Sequence, residues 1–354
     1  MRHIQELLTK LIETRGSDLH LSTGAPPLFR IHGSMSILFK EVLSSEECQK
    51  ICYSVMTEVQ QRDFEKKKEL DFSFGMASLG RFRANVYQQK GAVSAAIRHI
   101  PFEIMSLEQL GLPRVLQELV DRPSGLILVT GATGSGKSTT LAAMIDRVNS
   151  TKQGHILTIE DPIEFVHKHK KCLISQREVH SDTDTFSSAL RVALRQDPDY
   201  VLIGEMRDTE TMAAALSIAE TGHLTFATLH TNSAAQTVNR IIDSFPQGEQ
   251  AQIRTQISFV LQGIVSQILV PRVGGGRICA TEILVATPAI RAMIRDDKMH
   301  QVQGMIETGQ KWGMHTMSAC LAELVMAGKV ERAVALSHAP DPDGLQRILS
   351  GKVS

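Results

Sequence analysis

Apolar positions fall along this chain in changing rhythms, and the changes divide it. Ile4, Leu7, Leu8, Leu11 and Ile12 recur at helical spacing with Gly16 as a stop, so the chain is expected to open on an amphipathic helix. Strand-like runs follow at Asp18–Leu21, Leu28–Ile31, Asp71–Phe74, Arg81–Tyr87 and Ala92–Arg98, interrupted by a helical stretch from Ser45 to Lys68. That order predicts a small α+β domain with an antiparallel sheet over residues 1–100. Residues 101–113, which begin with Pro101 and end with Pro113, read as a linker. From Arg114 the pattern is different: short apolar runs at 126–129, 156–159, 201–203 and 224–227 alternate with helical stretches. This alternation predicts an α/β domain over 114–354, with a mostly parallel sheet between helices. Beyond about residue 247 the spacing is helical almost to the end, apart from Gly274–Gly276 and the run Ile278–Val285, so a helical C-terminal region is expected.

Composition narrows the function classes. The 354 residues are enough for two cores, and 38 basic against 38 acidic side chains leave no overall field to attract nucleic acid or anionic lipid. The first residues, Met1-Arg-His-Ile-Gln-Glu-Leu-Leu, lack an apolar signal core, and no run approaches the roughly 18 apolar residues of a membrane span. A cytoplasmic chain without direct membrane insertion is therefore expected. Its five cysteines are scattered and odd in number, which suits a reducing compartment. Cys48 and Cys52 would share a helical face, but no second pair stands nearby to complete a zinc site, and they are expected to be small buried side chains.

Chemistry enters at Gly131-Ala-Thr-Gly-Ser-Gly-Lys137-Ser138-Thr139, which fits G-x-x-x-x-G-K-[ST] between a buried strand and a helix. In such a loop the glycines let backbone N–H groups turn toward nucleotide phosphates, the lysine reaches the β and γ phosphates, and the serine hydroxyl ligates Mg²⁺. Binding alone does not hydrolyse a phosphate; water must be activated and developing charge offset. Leu157-Thr-Ile-Glu160-Asp161-Pro-Ile-Glu164 puts three carboxylates at the carboxyl end of an expected strand, where open α/β sheets hold ligands, and one of them could be the base. Asp199-Tyr-Val-Leu-Ile-Gly-Glu205-Met-Arg-Asp208 has the apolar strand and acid of a Walker B element, with Gly-Glu where Asp is commoner. Glu205 is expected near the metal-bound water and Asp208 at a helix N-cap. His230, ending the strand expected beside the loop strand, could donate to the γ-phosphate, whereas His223 at its start is expected to be structural. In the first domain, strand periodicity puts Arg81 and Arg83 on one face, and Arg98 ends the next strand, giving guanidiniums suited to phosphate. The candidate nucleotide-binding set is thus Thr133, Gly134, Ser135, Gly136, Lys137, Ser138, Thr139, Glu160 and Arg81. Ser138 and Glu205 are the candidate metal residues.

The Walker A loop at 131–139, the Asp box Thr158-Ile-Glu-Asp-Pro-Ile-Glu164, the Walker B variant Leu202-Ile-Gly-Glu205 and the His box Thr221–His230 closely resemble those of the type IV pilus and type II secretion family of hexameric motor ATPases. The likeness runs from Gly16-Ser-Asp-Leu-His-Leu21 nearly to the C-terminus. It implies a PAS-like N-terminal domain, a RecA-like P-loop NTPase core and a homohexameric ring, with ATP and Mg²⁺ held between the two domains. By position, Glu164 is implied to activate water, Glu205 to be the acid near Mg²⁺, His230 to contact the γ-phosphate, and Arg83 and Arg98 to reach a phosphate, with Arg81 a weaker candidate. Extension and secretion motors typically carry a further N-terminal region and a four-cysteine zinc insertion, neither of which this sequence has. Ala289-Ile-Arg-Ala-Met-Ile-Arg295 resembles the Ala-Ile-Arg-Asn-Leu-Ile-Arg segment of retraction motors and departs from it at Ala292 and Met293. The resemblance therefore implies pilus retraction, exerted through an inner-membrane platform protein at the pilus base, with a paralogous motor ATPase as a possible companion. An assembly or secretion ATPase and a non-catalytic accessory subunit are the alternatives. A nucleic-acid translocase is disfavoured by the neutral charge and the lack of an aromatic, basic groove.

Overall fold

The computed structural model describes residues 3–31, 33–76, 79–100 and 104–351. The chain forms two compact units, Met1–Glu103 and Ile104–Ser354. The first contains α1 (Ile4–Glu13), β1 (Asp18–Leu21), β2 (Leu28–Ile31), β3 (Ser34–Ile37), α2 (Ser45–Tyr53), α3 (Glu58–Lys67), β4 (Glu69–Met76), β5 (Gly80–Gln89) and β6 (Ala92–Ile100). Its strands form one antiparallel sheet in the order β3-β2-β1-β6-β5-β4. α1 buries Ile4, Leu7, Leu8 and Leu11 in the same core as Leu19, Phe29, Phe82, Ala84, Val86 and Ile97. Alternation along β5 sends Phe82, Ala84 and Val86 inward and leaves Arg81 and Arg83 on the opposite face.

The stretch from Ser45 to Lys68 is two helices. Each opens on a reciprocal capping box, Ser44 with Glu47 and Thr57 with Gln60, so the second box restarts the helix where the spacing predicts continuity. β3 was not expected. It is a short, largely exposed edge strand, and the alternation of Met35 and Ile37 with serines spans only four residues, too few to mark a strand.

The second unit contains α4 (Val115–Val120), β7 (Gly125–Thr130), α5 (Lys137–Thr151), β8 (Gly154–Glu160), β9 (Cys172–Glu178), α6 (Phe186–Ala193), β10 (Tyr200–Ile203), α7 (Thr209–Glu220), β11 (Leu224–Leu229), α8 (Ala234–Asp243) and α9 (Gln250–Val260). It continues through β12 (Leu261–Pro271), β13 (Arg277–Val285), α10 (Pro288–Arg295), α11 (Val302–Glu307), α12 (Met317–Met326), α13 (Arg332–His338) and α14 (Pro342–Leu349). The sheet order is β13-β12-β7-β11-β10-β8-β9, parallel throughout except for the β12–β13 pair. Every residue of β7 and β11 is buried, as expected where helices cover both faces of a parallel sheet.

Three expectations are corrected here. Leu261–Pro271, read as helical, is a strand inserted between β7 and β13; Leu261, Ile264, Val265, Ile268 and Leu269 fall at helical spacing, and burial on both faces removes the period-two signal. Cys172–Glu178 adds the edge strand β9. Of the expected linker, residues 101–103 lie outside the described residues, while Leu107 and Leu112 are packed into the core of the second unit. Beyond β13 the chain is helical, and Leu321, Ala335 and Leu345 pack on Val270 and Ala280 in a separate small core.

The parallel order has one consequence for function. The carboxyl ends of β7, β11, β10 and β8 lie side by side, so the segments that follow them, from Gly131, His230, Gly204 and Asp161 onward, emerge along one edge of the sheet.

Candidate active site

After β7 the chain turns through Gly131, Gly134 and Gly136 at φ of 143°, 78° and 90°, backbone that a side chain would strain. Gly131 is doubly required, since a Cβ there would lie 2.3 Å from the Gln267 carbonyl oxygen. α5 then starts at Lys137 with no side-chain cap and no acid in its first turn. By contrast α7, α8, α10 and α12 are capped by Asp208, Ser233, Thr287 and Thr316. An uncapped start on a 15-residue helix leaves N–H donors and the positive end of the helix dipole for an anion. The Ser135 hydroxyl is buried at the same turn, without a hydrogen-bond partner among the described residues. Lys137 Nζ donates to the carbonyls of Gly131 (2.8 Å) and Ala132 (3.0 Å). Burial pulls its pKa below the usual lysine value, and the charges of Glu205 and Glu164 oppose that shift, so both carboxylates bear on this one ammonium.

The Gly-Glu variant has a local reason. The Gly204 N–H donates to the Ile159 carbonyl (2.8 Å), and a Cβ on it would sit 3.2 Å from the Glu160 Cα, so glycine lets β10 leave the sheet beside β8. The Met206 N–H donates to the Thr228 carbonyl (3.0 Å) and the Thr228 hydroxyl to the Gly204 carbonyl (2.5 Å), which fastens this exit to β11. Glu205 is thereby brought to His230, with Oε1 3.0 Å from Nε2. Its Oε2 accepts from Arg207 Nε, and Arg207 Nη2 is also 2.7 Å away. Arg207 was missed in the sequence, although its place two residues after the acid, on the same side of an extended segment, was the available signal.

Glu160 accepts hydrogen bonds at Oε1 from the Thr158 hydroxyl (2.6 Å) and from Gln176 Nε2 on β9 (3.2 Å). Burial, aided by the Glu164 charge, pushes its carboxyl up to about 7 against the stabilising pull of Thr158, Gln176 and the Glu164 backbone N–H. Gln176 was also missed, because β9 was. Asp208 caps α7, its carboxylate accepting from the Thr211 N–H and hydroxyl, both at 2.8 Å. His223 Nδ1 lies 3.1 Å from the Ile218 carbonyl and 3.1 Å from the Thr221 hydroxyl at the end of α7, a structural position.

A cavity of about 490 Å³ opens beside the start of α5, lined by Leu110, Gly136, Thr139, Thr140, Leu269 and Arg277 among others. Its walls come from widely separated segments, which no single motif marks. Arg81, Arg83 and Arg98 belong to the first unit, where Arg83 on β5 stands directly opposite Arg98 on β6.

Residues 1–333 match the profile of the type II/IV secretion system protein family. The chain belongs to that family. Within it, the chain is 50% identical over 340 residues to the type IV pilus retraction ATPase PilT of Pseudomonas aeruginosa, covering 96% of this chain and 99% of that one. It is 40% identical to the type IV pilus ATPase PilU of the same organism, over 98% of this chain and 91% of PilU. A crystal structure of the pilus retraction motor PilT with bound ADP superimposes with a TM-score of 0.92 at 49% identity, covering 98% of this chain and 100% of that chain. The family likeness makes the second unit a RecA-like core extended by C-terminal helices. Among the described residues no helix is long and apolar enough to cross a membrane, and no group of three or more His, Cys, Asp or Glu is placed to hold a metal ion unaided.

Proposed function

We propose that this chain is an ATP-hydrolysing motor of type IV pilus retraction, acting as a homohexameric ring. The observation that carries the reading is the site around Lys137. An uncapped helix start carries an ammonium on which the charges of Glu164 and Glu205 both act, in a chain half identical to a pilus retraction ATPase along nearly its whole length. Thr133–Thr139 wrap the phosphates with backbone N–H groups, and Lys137 exchanges its loop carbonyls for β and γ oxygens. The nucleoside occupies the cavity beside Thr139 and Thr140. Ser138 and Glu205 supply the oxygen ligands that suit Mg²⁺, whose charge would offset that of the phosphates. Glu164 takes the proton of the attacking water, and His230, held at Glu205, donates to the γ-phosphate. Glu160 lines the site as a neighbour of Glu164. Arg83 and Arg98, with Arg81 as a third, bring positive charge to the phosphates.

The work is passed to an inner-membrane platform protein at the pilus base, which holds this cytoplasmic motor at the membrane; a paralogous motor ATPase is a second partner. α10, carrying Ala289–Arg295, is the segment we connect with retraction. Steady-state ATP turnover by the purified full chain tests the chemistry. Glu164→Gln is expected to lower kcat by about a thousandfold while ATP still binds, as loss of a general base does. Turnover at the wild-type rate in that variant would refute the assignment.

A further inference from the structure

One ladder of side chains crosses the sheet of the first unit. Arg30 on β2, Asp18 on β1, Arg98 on β6 and Arg83 on β5 are successive cross-strand partners. The ladder holds three cations and one acid; Arg83 has a second acid within reach, Asp71 on β4 at 3.9 Å, which leaves Asp18 to offset Arg98, the like charge directly opposite Arg83. Asp18 differs from its neighbours. Its side chain is only 11% exposed while that of Arg98 is 67% exposed, and Arg98 Nε donates to Asp18 Oδ1 at 2.8 Å. The Ser17 hydroxyl holds the other oxygen, Oδ2, at 2.7 Å, and Arg30 Nε stands 4.0 Å from it. Burial works against the charge of Asp18, yet the hydrogen bonds from Ser17 and Arg98 keep its carboxyl below the usual value.

The atom used is informative. Asp18 engages Arg98 through Nε, and the two terminal nitrogens of that guanidinium have no partner among the described residues. An arginine side chain free on a strand surface would lose rotamer entropy each time it bound. Anchored at Nε by a nearly buried carboxylate, it instead presents a fixed, unoccupied fork of the shape that takes two phosphate oxygens.

From this geometry we infer that Asp18 is a positioning residue for Arg98, fixing the guanidinium for the phosphate of ATP. The inference rests on the reading that Arg98 acts on a phosphate, and the test separates the two. Steady-state ATPase parameters are measured on the full chain for wild type, Arg98→Ala, Asp18→Asn, Asp18→Glu and the double variant Asp18→Asn/Arg98→Ala, each checked for fold by thermal melting. Arg98→Ala and Asp18→Asn are each expected to lower kcat about tenfold, the scale of one charge-assisted hydrogen bond, with KM changed by less than about twofold. The double variant should be no slower than Arg98→Ala alone, and Asp18→Glu should recover part of the rate. Wild-type kcat in Asp18→Asn beside a slow Arg98→Ala, or losses that multiply in the double variant, would overturn the positioning role. Wild-type kcat in Arg98→Ala would overturn the underlying reading of Arg98 itself. If Asp18→Asn does not fold, Asp18→Ser with and without Arg98→Ala forms the same cycle: non-multiplying losses support the role, and wild-type kcat in Asp18→Ser or multiplying losses refute it.

Discussion

Replacing Glu160 with Gln should make the protein more stable at alkaline pH and change it little at acid pH. Burial raises the carboxyl from the ordinary 4.5 to about 7, so the folded chain keeps a proton that the unfolded chain has already released. The stabilisation linked to that proton is complete below about pH 4.5, falls as pH rises through 7, and is absent above it. The separation of the two values corresponds to about 3 kcal/mol, an upper figure because the unfolded chain is not featureless. Gln keeps an acceptor for Thr158 and Gln176 but has no charge to desolvate. Urea denaturation of both proteins at pH 5 and pH 8, at one protomer concentration, measures the effect. The variant should exceed wild type by less than about 1 kcal/mol at pH 5 and by about 1–3 kcal/mol more at pH 8 than at pH 5. A variant less stable than wild type at pH 8, or a gap independent of pH, would refute the argument that burial of this carboxyl dominates its ionisation.

Two further substitutions test the architecture around Glu205. Arg207→Ala removes a mostly exposed guanidinium that grips Oε2 of Glu205 at 2.7 Å, and kcat should fall about five- to tenfold with ATP affinity nearly unchanged; a change in affinity alone would show that Arg207 does not orient the acid. Asp208→Ala deletes the α7 cap and should lower unfolding free energy by about 1 kcal/mol, while Asp208→Asn should lose less; a normal midpoint in the alanine variant would contradict the capping role.

Much of this was legible because the signals were local. The strand bounds Asp18–Leu21 and Leu28–Ile31 agree with the structure, as does the N-cap at Asp208, since alternation and capping act over a few residues. The parallel core could be read from four compact apolar runs. β12 could not, because Leu261, Ile264, Val265, Ile268 and Leu269 recur at helical spacing, and a strand buried between β7 and β13 shows no period-two alternation to contradict it. β9 escaped for the opposite reason: Ser175-Gln176-Arg177 is polar, and an edge strand needs little apolar patterning. That omission concealed Gln176 and hence part of the environment of Glu160. At the site, loop and acids were announced by spacing, whereas the grip of Arg207 on Glu205, the anchoring of Arg98 by Asp18 and the cavity beside α5 depend on contacts between distant segments. Such contacts follow from register and burial, and a linear sequence does not state them.

The central claim, that ATP chemistry at Lys137 powers filament withdrawal, is tested most directly by surface pilus abundance and twitching in a strain whose only copy carries Lys137→Ala. The variant removes the ammonium on which the charges of both Glu164 and Glu205 act, so turnover is lost. The account predicts surplus pili that do not retract and no twitching. Loss of surface pili would contradict it, showing a motor that builds the filament.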